Sequence, residues 1–154
     1  MTRTIFALIA VLCLSLQSAW AEPIIGQLAP AFTAIDSNGK SVSLSNFGGK
    51  TVVLEWTNDG CPYVKKHYNS GNMQKLQQEL TSKGAVWLSI ISSAPGKQGH
   101  VNGAGANQLS ASRSAKPTAI LLDPTGTIGR AYEAQTTINI STFAQTIPPR
   151  LHNG

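Results

Sequence analysis

The stretch that decides the fold is TVVLEWTNDGCPYVKKH, residues 51–67. Residues 51–56 are mostly apolar and rich in β-branched side chains, which is typical of a buried strand. Residues 57–60 (TNDG) are polar and favour a turn. Pro62 suits the first position of a helix, since its missing N–H would have no partner there. The pattern therefore predicts a strand, a turn and a helix, with Cys61 at the start of the helix.

A thiol at the start of a helix lies beside the positive end of the backbone dipole and the unpaired N–H groups of the first turn. Both features favour the thiolate over the thiol, so we expect Cys61 to be a redox-active or nucleophilic cysteine. The alternative is a buried cysteine with a purely structural role, which is the commoner fate of this residue type in general.

Residues 1–21 are typical of a secretory signal: a positive residue near the start, an apolar run over 5–16, and the triplet AWA before a signal peptidase site. We expect cleavage after Ala21 and a periplasmic or secreted protein of residues 22–154, one domain by length. The apolar run is shorter than the ~20 residues of a transmembrane helix. No stable membrane association is therefore expected after cleavage.

The charge and cysteine content narrow the function further. The chain has a formal net charge of +5, and the loss of Arg3 with the signal leaves +4. The basic residues are scattered apart from the pair Lys65–Lys66, so no nucleic-acid binding is expected. Of the two cysteines, Cys13 lies in the signal, so the exported protein cannot form an intrachain disulfide. A reactive Cys61 then needs an external thiol reductant or a partner protein thiol or disulfide.

The remaining pattern predicts a β-hairpin before this unit and a βαβ crossover after it. Strands at 32–36 and 41–45 flank an Asn-Gly turn. The helix continues to Lys83, with an interruption at 69–71 that would kink or split it, and Gly84 suits its end. Further expected elements are a strand at 85–91, a loop at 92–105, a short helix at 106–113, a strand at 118–123, a helical turn at 128–134 and a β-prone segment at 138–143.

Several stretches, in this order, carry a family resemblance that covers roughly residues 26–137. The stretches are GQLAPAF (26–32), NGKSVSLSNF (38–47), VLEWTNDGCPYV (53–64), KHYNSGNM (66–73), LLDPTG (121–126) and GRAY (129–132). Together they resemble the AhpC/TSA (peroxiredoxin-like) family of the thioredoxin-like superfamily, specifically its exported redoxins. The resemblance implies an α/β thioredoxin-like fold, with a central mixed β-sheet flanked by helices and an N-terminal β-hairpin. It also implies thiol-based redox chemistry.

The chain departs from the family pattern at three positions. Val64 stands where thioredoxins have the second cysteine of Cys-x-x-Cys, and Asn58 stands where peroxiredoxins have a threonine; the peroxiredoxin proline is also absent. Ile138 stands where the family has a cis-proline. The likeness stops after Thr137, which suggests a divergent or truncated C-terminus. The segment 138–143 could still fill the strand position beside 51–56.

The residues that would support Cys61 are its neighbours along the chain: Trp56, Asn58, Pro62, Tyr63 and His67. Trp56 and Tyr63 would pack around the cysteine, as core residues or as the lining of a substrate groove. Asn58 would orient a water or a bound oxygen, although a turn or capping role explains it equally well. His67 would interact with the site or lie on the surface.

Three basic residues and one metal site are weaker candidates. Lys65 and Lys66 could favour the thiolate, and Arg130 could pair with a substrate anion, although a solvated surface role is the simpler explanation for each. A copper or zinc site formed by Cys61, His67 and His100 has too few ligands and no known spacing. We therefore expect no metal and no cofactor.

These observations predict an exported thiol-dependent oxidoreductase, an antioxidant protein of peroxiredoxin or thioredoxin-like type. Cys61 would be its single redox-active cysteine, and a peroxide or a disulfide its substrate. The alternative is a catalytically degenerate thioredoxin-fold binding module that engages partners without turnover.

Overall fold

The computed structural model describes residues 28–134 and the backbone of residues 140–143. Strands and helices alternate through most of this range. The strands are β1 (Thr33–Asp36), β2 (Ser41–Ser43), β3 (Val52–Trp56), β4 (Val86–Ile91), β5 (Ala119–Leu122) and β6 (Ile140–Phe143); the helices are α1 (Pro62–Asn69), α2 (Asn72–Ser82), α3 (Gly103–Ser112) and α4 (Thr127–Ala131).

The described strands form one mixed sheet in the order β2-β1-β5-β4-β3-β6. Strands β3, β4 and β5 are parallel to one another, whereas the hairpin β1–β2 and strand β6 run antiparallel to their neighbours. The parallel strands have the continuous apolar sequences expected of strands covered on both faces. The mixed sheet, the flanking helices and the N-terminal hairpin predicted from the sequence are confirmed.

The hairpin turn is fixed by Asp36, whose carboxylate accepts from the backbone N–H of Asn38 and of Lys40, both at 2.8 Å. Gly39 has a φ of +80°, which glycine adopts at little cost, so the Asn-Gly signal is confirmed. The prediction of a strand over 41–45 is wrong for its last two residues. A 3-10 helix, Leu44–Phe47, begins there and buries the side chain of its first residue in the core.

The long helix predicted after Cys61 is split into α1 and α2 at the interruption seen in the sequence. Gly71 has a φ of +73° and immediately precedes α2, a conformation that disrupts a continuous helix. Gly84, with a φ of +87°, ends α2. Its N–H donates to the Thr81 carbonyl at 3.0 Å, and the N–H of Ala85 donates to the Leu80 carbonyl at 3.1 Å. This pair of bonds is the Schellman ending that the glycine predicted.

Alternate residues of β3 belong to two separate clusters, one on each face of the sheet. Val52, Leu54 and Trp56 pack with α4 and the hairpin, whereas Val53 packs with α1 and α2. Cys61 is part of the second cluster. The site therefore lies on the α1–α2 face of the sheet, where the members of this cluster are Val53, Val64, Tyr68, Met73 and Trp87, with Cys61, Leu76, Leu80 and Ala115 at its border.

Helix α3 begins three residues earlier than predicted because the side chain of Asn102 caps it, accepting from the N–H of Gly105 at 2.8 Å. Helix α4 spans Thr127–Ala131 and is shorter than the turn predicted over 128–134.

The last described strand, β6, pairs antiparallel with β3, with Val52 opposite Phe143. The prediction that the segment 138–143 fills this position is confirmed for 140–143. The proposed signal at 1–21 and the position of Ile138 lie outside the described residues. Within the described ranges, no helix is both long and apolar enough to cross a bilayer.

Candidate active site

Cys61 lies at the junction that the sequence predicted, between the end of β3 and the start of α1. The N–H of Thr57 still donates to the Ile90 carbonyl at 2.9 Å, so the turn begins directly at the edge of the sheet. The N–H of Cys61 donates to the Asn58 carbonyl at 3.1 Å, and the carbonyl of Cys61 accepts from Lys65 at 3.0 Å. Cys61 is thus the N-cap residue of α1, and it is half-buried.

Asn58 shapes the turn with its side chain. Its Oδ1 accepts from the N–H of Gly60 at 2.8 Å, and its Nδ2 donates to the carbonyl of Gln98 at 3.2 Å. The next residue after Gln98 is Gly99, with a φ of +82°, where a Cβ would collide with the Asn58 side chain. The loop at 92–102 is therefore packed directly against the turn that carries Cys61, and the turn role considered for Asn58 is the one the structure supports.

The structure places the two aromatic candidates differently. Tyr63 is 64% exposed beside Cys61, on the first turn of α1. Trp56 is buried on the opposite face of the sheet, where its ring centroid is 5.8 Å from that of Tyr132. The expectation that Trp56 packs around the cysteine therefore does not match its position. Pro62 occupies the first helical position, as the sequence predicted.

His67 lies six residues after Cys61, or about 9 Å along the helix. Its Nδ1 is 3.4 Å from the Asn72 amide, at the far end of α1, so the structure does not bring it to the thiol. The Nδ1 of His100 is 2.9 Å from the Ser93 carbonyl, within the loop. Among the described residues, no three His, Cys, Asp or Glu side chains form a group that could hold a metal ion.

The sequence reasoning missed Arg113, which follows α3. Its guanidinium donates to the carboxylate of Asp59 and to the Thr57 hydroxyl, the latter at 3.3 Å. The same group lies 4.9 Å from the centroid of the Tyr68 ring, which is within the range of a cation–π interaction. The Arg113 side chain is only 11% exposed. It thus joins the turn before Cys61 to the buried face of α1.

A buried carboxylate, Glu55, lies beneath α1 and was also missed. It is 2% exposed, and its Oε1 accepts from the Tyr68 hydroxyl at 2.7 Å. Its Oε2 accepts from Gln77 at 3.2 Å, from the Trp87 indole at 2.7 Å and from the Ser89 hydroxyl at 2.8 Å. Burial, and then the negative charge of Glu55, raise the pKa of Tyr68 well above its usual range.

Glu55 gave one signal in the sequence, since it is the only charged residue inside an otherwise apolar strand. A buried carboxylate needs several donors, so its presence predicts a polar network below α1. Arg113 gave no comparable signal. Its contact with Asp59 joins segments far apart in the sequence, and only the tertiary packing of α3 creates it.

The arrangement suits a cysteine that reacts with another molecule. Val64, one turn after Cys61, is buried and cannot act as a second thiol. A covalent bond formed by Cys61 must therefore be resolved from outside this helix.

Solved structures share this fold. A protein disulfide isomerase described as putative, from Bacteroides thetaiotaomicron, is 24% identical with a TM-score of 0.55; the match covers 71% of this chain and 64%, under two thirds, of that protein. A secreted Mycobacterium tuberculosis disulfide oxidoreductase is 16% identical with a TM-score of 0.53, and the match covers 67% and 68% of the two chains. A thioredoxin described as putative, from Neisseria meningitidis, is 19% identical with a TM-score of 0.55, covering 80% and 81%. The fold is therefore thioredoxin-like.

No curated protein matches the sequence significantly. The family model described as AhpC/TSA matches residues 25–147, which include the hairpin, Cys61 and all the described strands. The resemblance seen in the sequence is confirmed, but the expectation that the likeness stops after Thr137 is wrong, because the match continues to residue 147. The chain belongs to the AhpC/TSA family.

Proposed function

We propose that this protein is an exported thiol–disulfide oxidoreductase with Cys61 as its only redox centre. The observation that carries the proposal is the position of Cys61 as the half-buried N-cap residue of α1, on a turn held by Asn58 and Arg113. A helix N-terminus favours the thiolate, and a fixed turn presents it in one direction. Two proteins of the same fold are described as a disulfide isomerase and a disulfide oxidoreductase, which supports the same chemistry.

The reaction proceeds through a mixed disulfide. The Cys61 thiolate attacks one sulfur of a partner disulfide, a bond forms between the two sulfurs, and the other partner sulfur leaves as a thiolate. Because Val64 cannot resolve the product, an external thiol attacks the mixed disulfide and releases Cys61. The partner sulfur is then bonded to the external thiol, and a second thiol group of the reductant displaces it. The partner disulfide ends as two thiols and the two thiol groups of the reductant end as one disulfide, so the electrons balance without a further oxidant.

The surroundings of Cys61 favour disulfide exchange over peroxide reduction. The resemblance places Asn58 where peroxiredoxins have the threonine that binds peroxide. Both polar ends of the Asn58 side chain are occupied by Gly60 and Gln98. The guanidinium of Arg113 is likewise occupied by Asp59 and Thr57. Polar groups already engaged in the turn are poor candidates for the cradle of a small oxygen substrate.

A degenerate binding module remains the second candidate, and one observation favours it. Val64 is well packed in the core beneath Cys61, as expected of a helix that has lost its resolving thiol. Such a protein would form a mixed disulfide or a non-covalent complex and would not turn over.

The experiment uses the full chain with Cys13→Ser, so that Cys61 is the only thiol. Dipyridyl disulfide is added at about pH 6, where an ordinary cysteine is almost fully protonated, and the release of pyridyl thione is followed. We expect the native protein to react at least about tenfold faster than the same chain in urea. Equal rates would contradict a reactive Cys61. A second arm adds excess dithiothreitol and a protein disulfide: turnover supports the oxidoreductase, whereas a mixed disulfide that only accumulates supports the binding module.

Export is tested separately. The full chain is expressed in a bacterial host, and the intact mass of the protein from the periplasmic fraction is measured. Cleavage after Ala21 is the expected result. An uncleaved protein found only in the cytoplasmic fraction would contradict export without touching the chemistry of Cys61.

A further inference from the structure

Positive side chains outnumber acidic ones on the elements around Cys61. Three lysine side chains are exposed on the elements that form or touch its turn. Lys65 donates its N–H to the carbonyl of Cys61, and Lys66 follows it on α1. Lys97 precedes Gln98, whose side-chain amide donates to the carbonyl of Gly60 at 3.4 Å. We call these three residues, Lys65, Lys66 and Lys97, the lysine rim.

The elements that carry the lysine rim hold no acidic residue that offsets it. Helix α1, the loop at 92–102 and helix α3 contain no Asp or Glu. Asp59 is the acid of the turn itself, and its charge is balanced by Arg113. The buried Glu55 is enclosed by four donors and does not face solvent. The elements that form or touch the turn of Cys61 therefore carry a net positive charge.

A groove beside the turn has the size to hold part of a polypeptide. It has a volume of about 330 Å³, starts at Asp59, two residues before Cys61, and follows the side of α3. Its lining is partly apolar and is formed by Asp59, Val101, Gly105, Gln108, Leu109 and Ser112. A small disulfide at Cys61 would leave this groove empty, whereas an extended chain could place a neighbouring side chain in it.

We infer that the partner of Cys61 is an acidic polypeptide, one whose reacting disulfide is flanked by Asp or Glu residues. The inference rests on the proposed function, because it needs a reactive Cys61. The lysine rim attracts the acidic flanks and speeds the encounter. The groove takes an uncharged side chain of the same polypeptide along α3, because Asp59 is its only charged lining residue. The bond formed is the same mixed disulfide, with the second partner sulfur leaving as a thiolate.

The test uses three synthetic peptides of equal length, each with one cysteine activated as a thiopyridyl disulfide. The cysteine is flanked by Glu in the first peptide, Ser in the second and Lys in the third. Attack of Cys61 on the peptide sulfur releases pyridyl thione, whose absorbance gives the rate. The protein is the full chain with Cys13→Ser. At about 0.01 M salt, where charges act over about 30 Å, we expect the acidic peptide to react at least about tenfold faster than the basic one.

Two pairs of substitutions separate the effect of the lysine rim from the effect of the protein's total charge. Lys65→Gln with Lys97→Gln removes two charges beside Cys61. Lys50→Gln with Lys83→Gln removes two charges just before β3 and β4, at the opposite end of these parallel strands from Cys61. The first pair should reduce the ratio of acidic to basic rates several-fold. The second pair should leave it near the wild-type ratio.

The neutral peptide distinguishes the two proposals. If it fails to react faster with the native chain than with the unfolded chain, the proposed function fails. If it reacts well but the acidic and basic peptides have equal rates at low salt, the acidic-partner inference fails. A preference that persists at about 1 M salt, where charges act over only about 3 Å, would also overturn it. The inference would also be overturned if the peptides reacted at equal rates while the protein bound anionic lipid vesicles through the lysine rim. The rim would then be a membrane contact.

Discussion

The guanidinium of Arg113 is bonded to the carboxylate of Asp59, so the end of α3 holds the turn that carries Cys61. The two side chains are 11% and 50% exposed, which makes this a partly screened ion pair. The same guanidinium also lies against the Tyr68 ring. One residue thus acts on both the turn and the helix that meet at the thiol.

Replacement of Arg113 should therefore affect stability and reactivity together. Arg113→Met removes the ion pair, the bond to Thr57 and the cation–π contact, and we expect a loss of about 1–2 kcal/mol of unfolding free energy after allowing for the exposure of Asp59. The rate of Cys61 with a neutral disulfide should fall several-fold under native conditions. Arg113→Lys keeps the charge but not the planar fork, so it should give an intermediate rate. Urea unfolding and thione release measure the two effects.

The matched control for Arg113 is Lys83→Met, which breaks the exposed pair between Lys83 and Glu79. It should leave both the urea midpoint and the thione rate unchanged. If Arg113→Met behaves like this control, the contacts of Arg113 with the turn have no role in holding Cys61.

Glu55→Gln tests the buried carboxylate beneath α1. The substituted amide would direct an NH₂ group at donors that now bond a carboxylate oxygen, and at least one of them would lose its acceptor. We expect a loss of about 2–4 kcal/mol of unfolding free energy, measured by urea titration. Glu79→Gln, on the surface, is the control for the loss of one negative charge. A wild-type midpoint for Glu55→Gln would mean that the four donors do not depend on the carboxylate.

Val64→Cys restores a second thiol one turn after Cys61. Positions three residues apart on a helix have Cβ atoms about 5–6 Å apart. A disulfide needs about 3.5–4.5 Å between these atoms, so a small movement of the first turn allows the bond to form. The mixed disulfide formed at Cys61 should then resolve at least about tenfold faster without added thiol. Mass spectrometry of the quenched reaction follows its decay. The packing cost at this buried site should be about 1 kcal/mol.

Lys66→Cys is the control for that variant, because it adds a thiol to the exposed side of the same helix. Its mixed disulfide should decay at the rate of the parent protein. Equal decay in both variants would show that position 64 does not face the Cys61 sulfur.

Two buried tyrosines predict a loss of stability at alkaline pH. Burial raises the pKa of Tyr132, and burial with the Glu55 charge raises the pKa of Tyr68. The unfolded chain releases these phenolic protons near pH 10, whereas the folded chain keeps them. The contribution of the two protonated phenols to the unfolding free energy is therefore present below about pH 10. It is lost as the pH rises further, by about 1.4 kcal/mol per pH unit for each tyrosine.

Tyr132→Phe tests the direction and the size of this change in stability with pH. The hydroxyl of Tyr132 donates to the Pro30 carbonyl at 2.6 Å, so the variant should be slightly less stable at neutral pH. Its unfolding free energy should nevertheless fall about half as steeply as that of the wild type above about pH 10. Urea titrations on both sides of that pH give the slopes. The exposed Tyr63→Phe serves as the control, and a slope unchanged by Tyr132→Phe would contradict the effect of burial.

The local parts of the fold could be predicted from the sequence because short patterns encode them. The apolar run 51–56, the turn after it and the glycine at 84 each specify their structure within a few residues. The face on which Trp56 lies could not be predicted. Every residue of β3 is buried, so no alternation of polar and apolar residues indicates which face α1 covers. The pairing of Arg113 with Asp59 was equally hidden, since it depends on how α3 packs.

The pairing of β6 with β3 limits the order in which the strands of the sheet can form while the chain is being synthesised. The strand that leads to Cys61 is among the first parts of the domain to be synthesised, yet its outer neighbour comes from the last described strand. Until β6 arrives, one edge of β3 has open N–H and carbonyl groups that any extended chain could pair with. Closing so large a loop is also slow compared with local helix formation. The newly made chain therefore passes through a period in which a chaperone or another copy competes for the place of its own final strand.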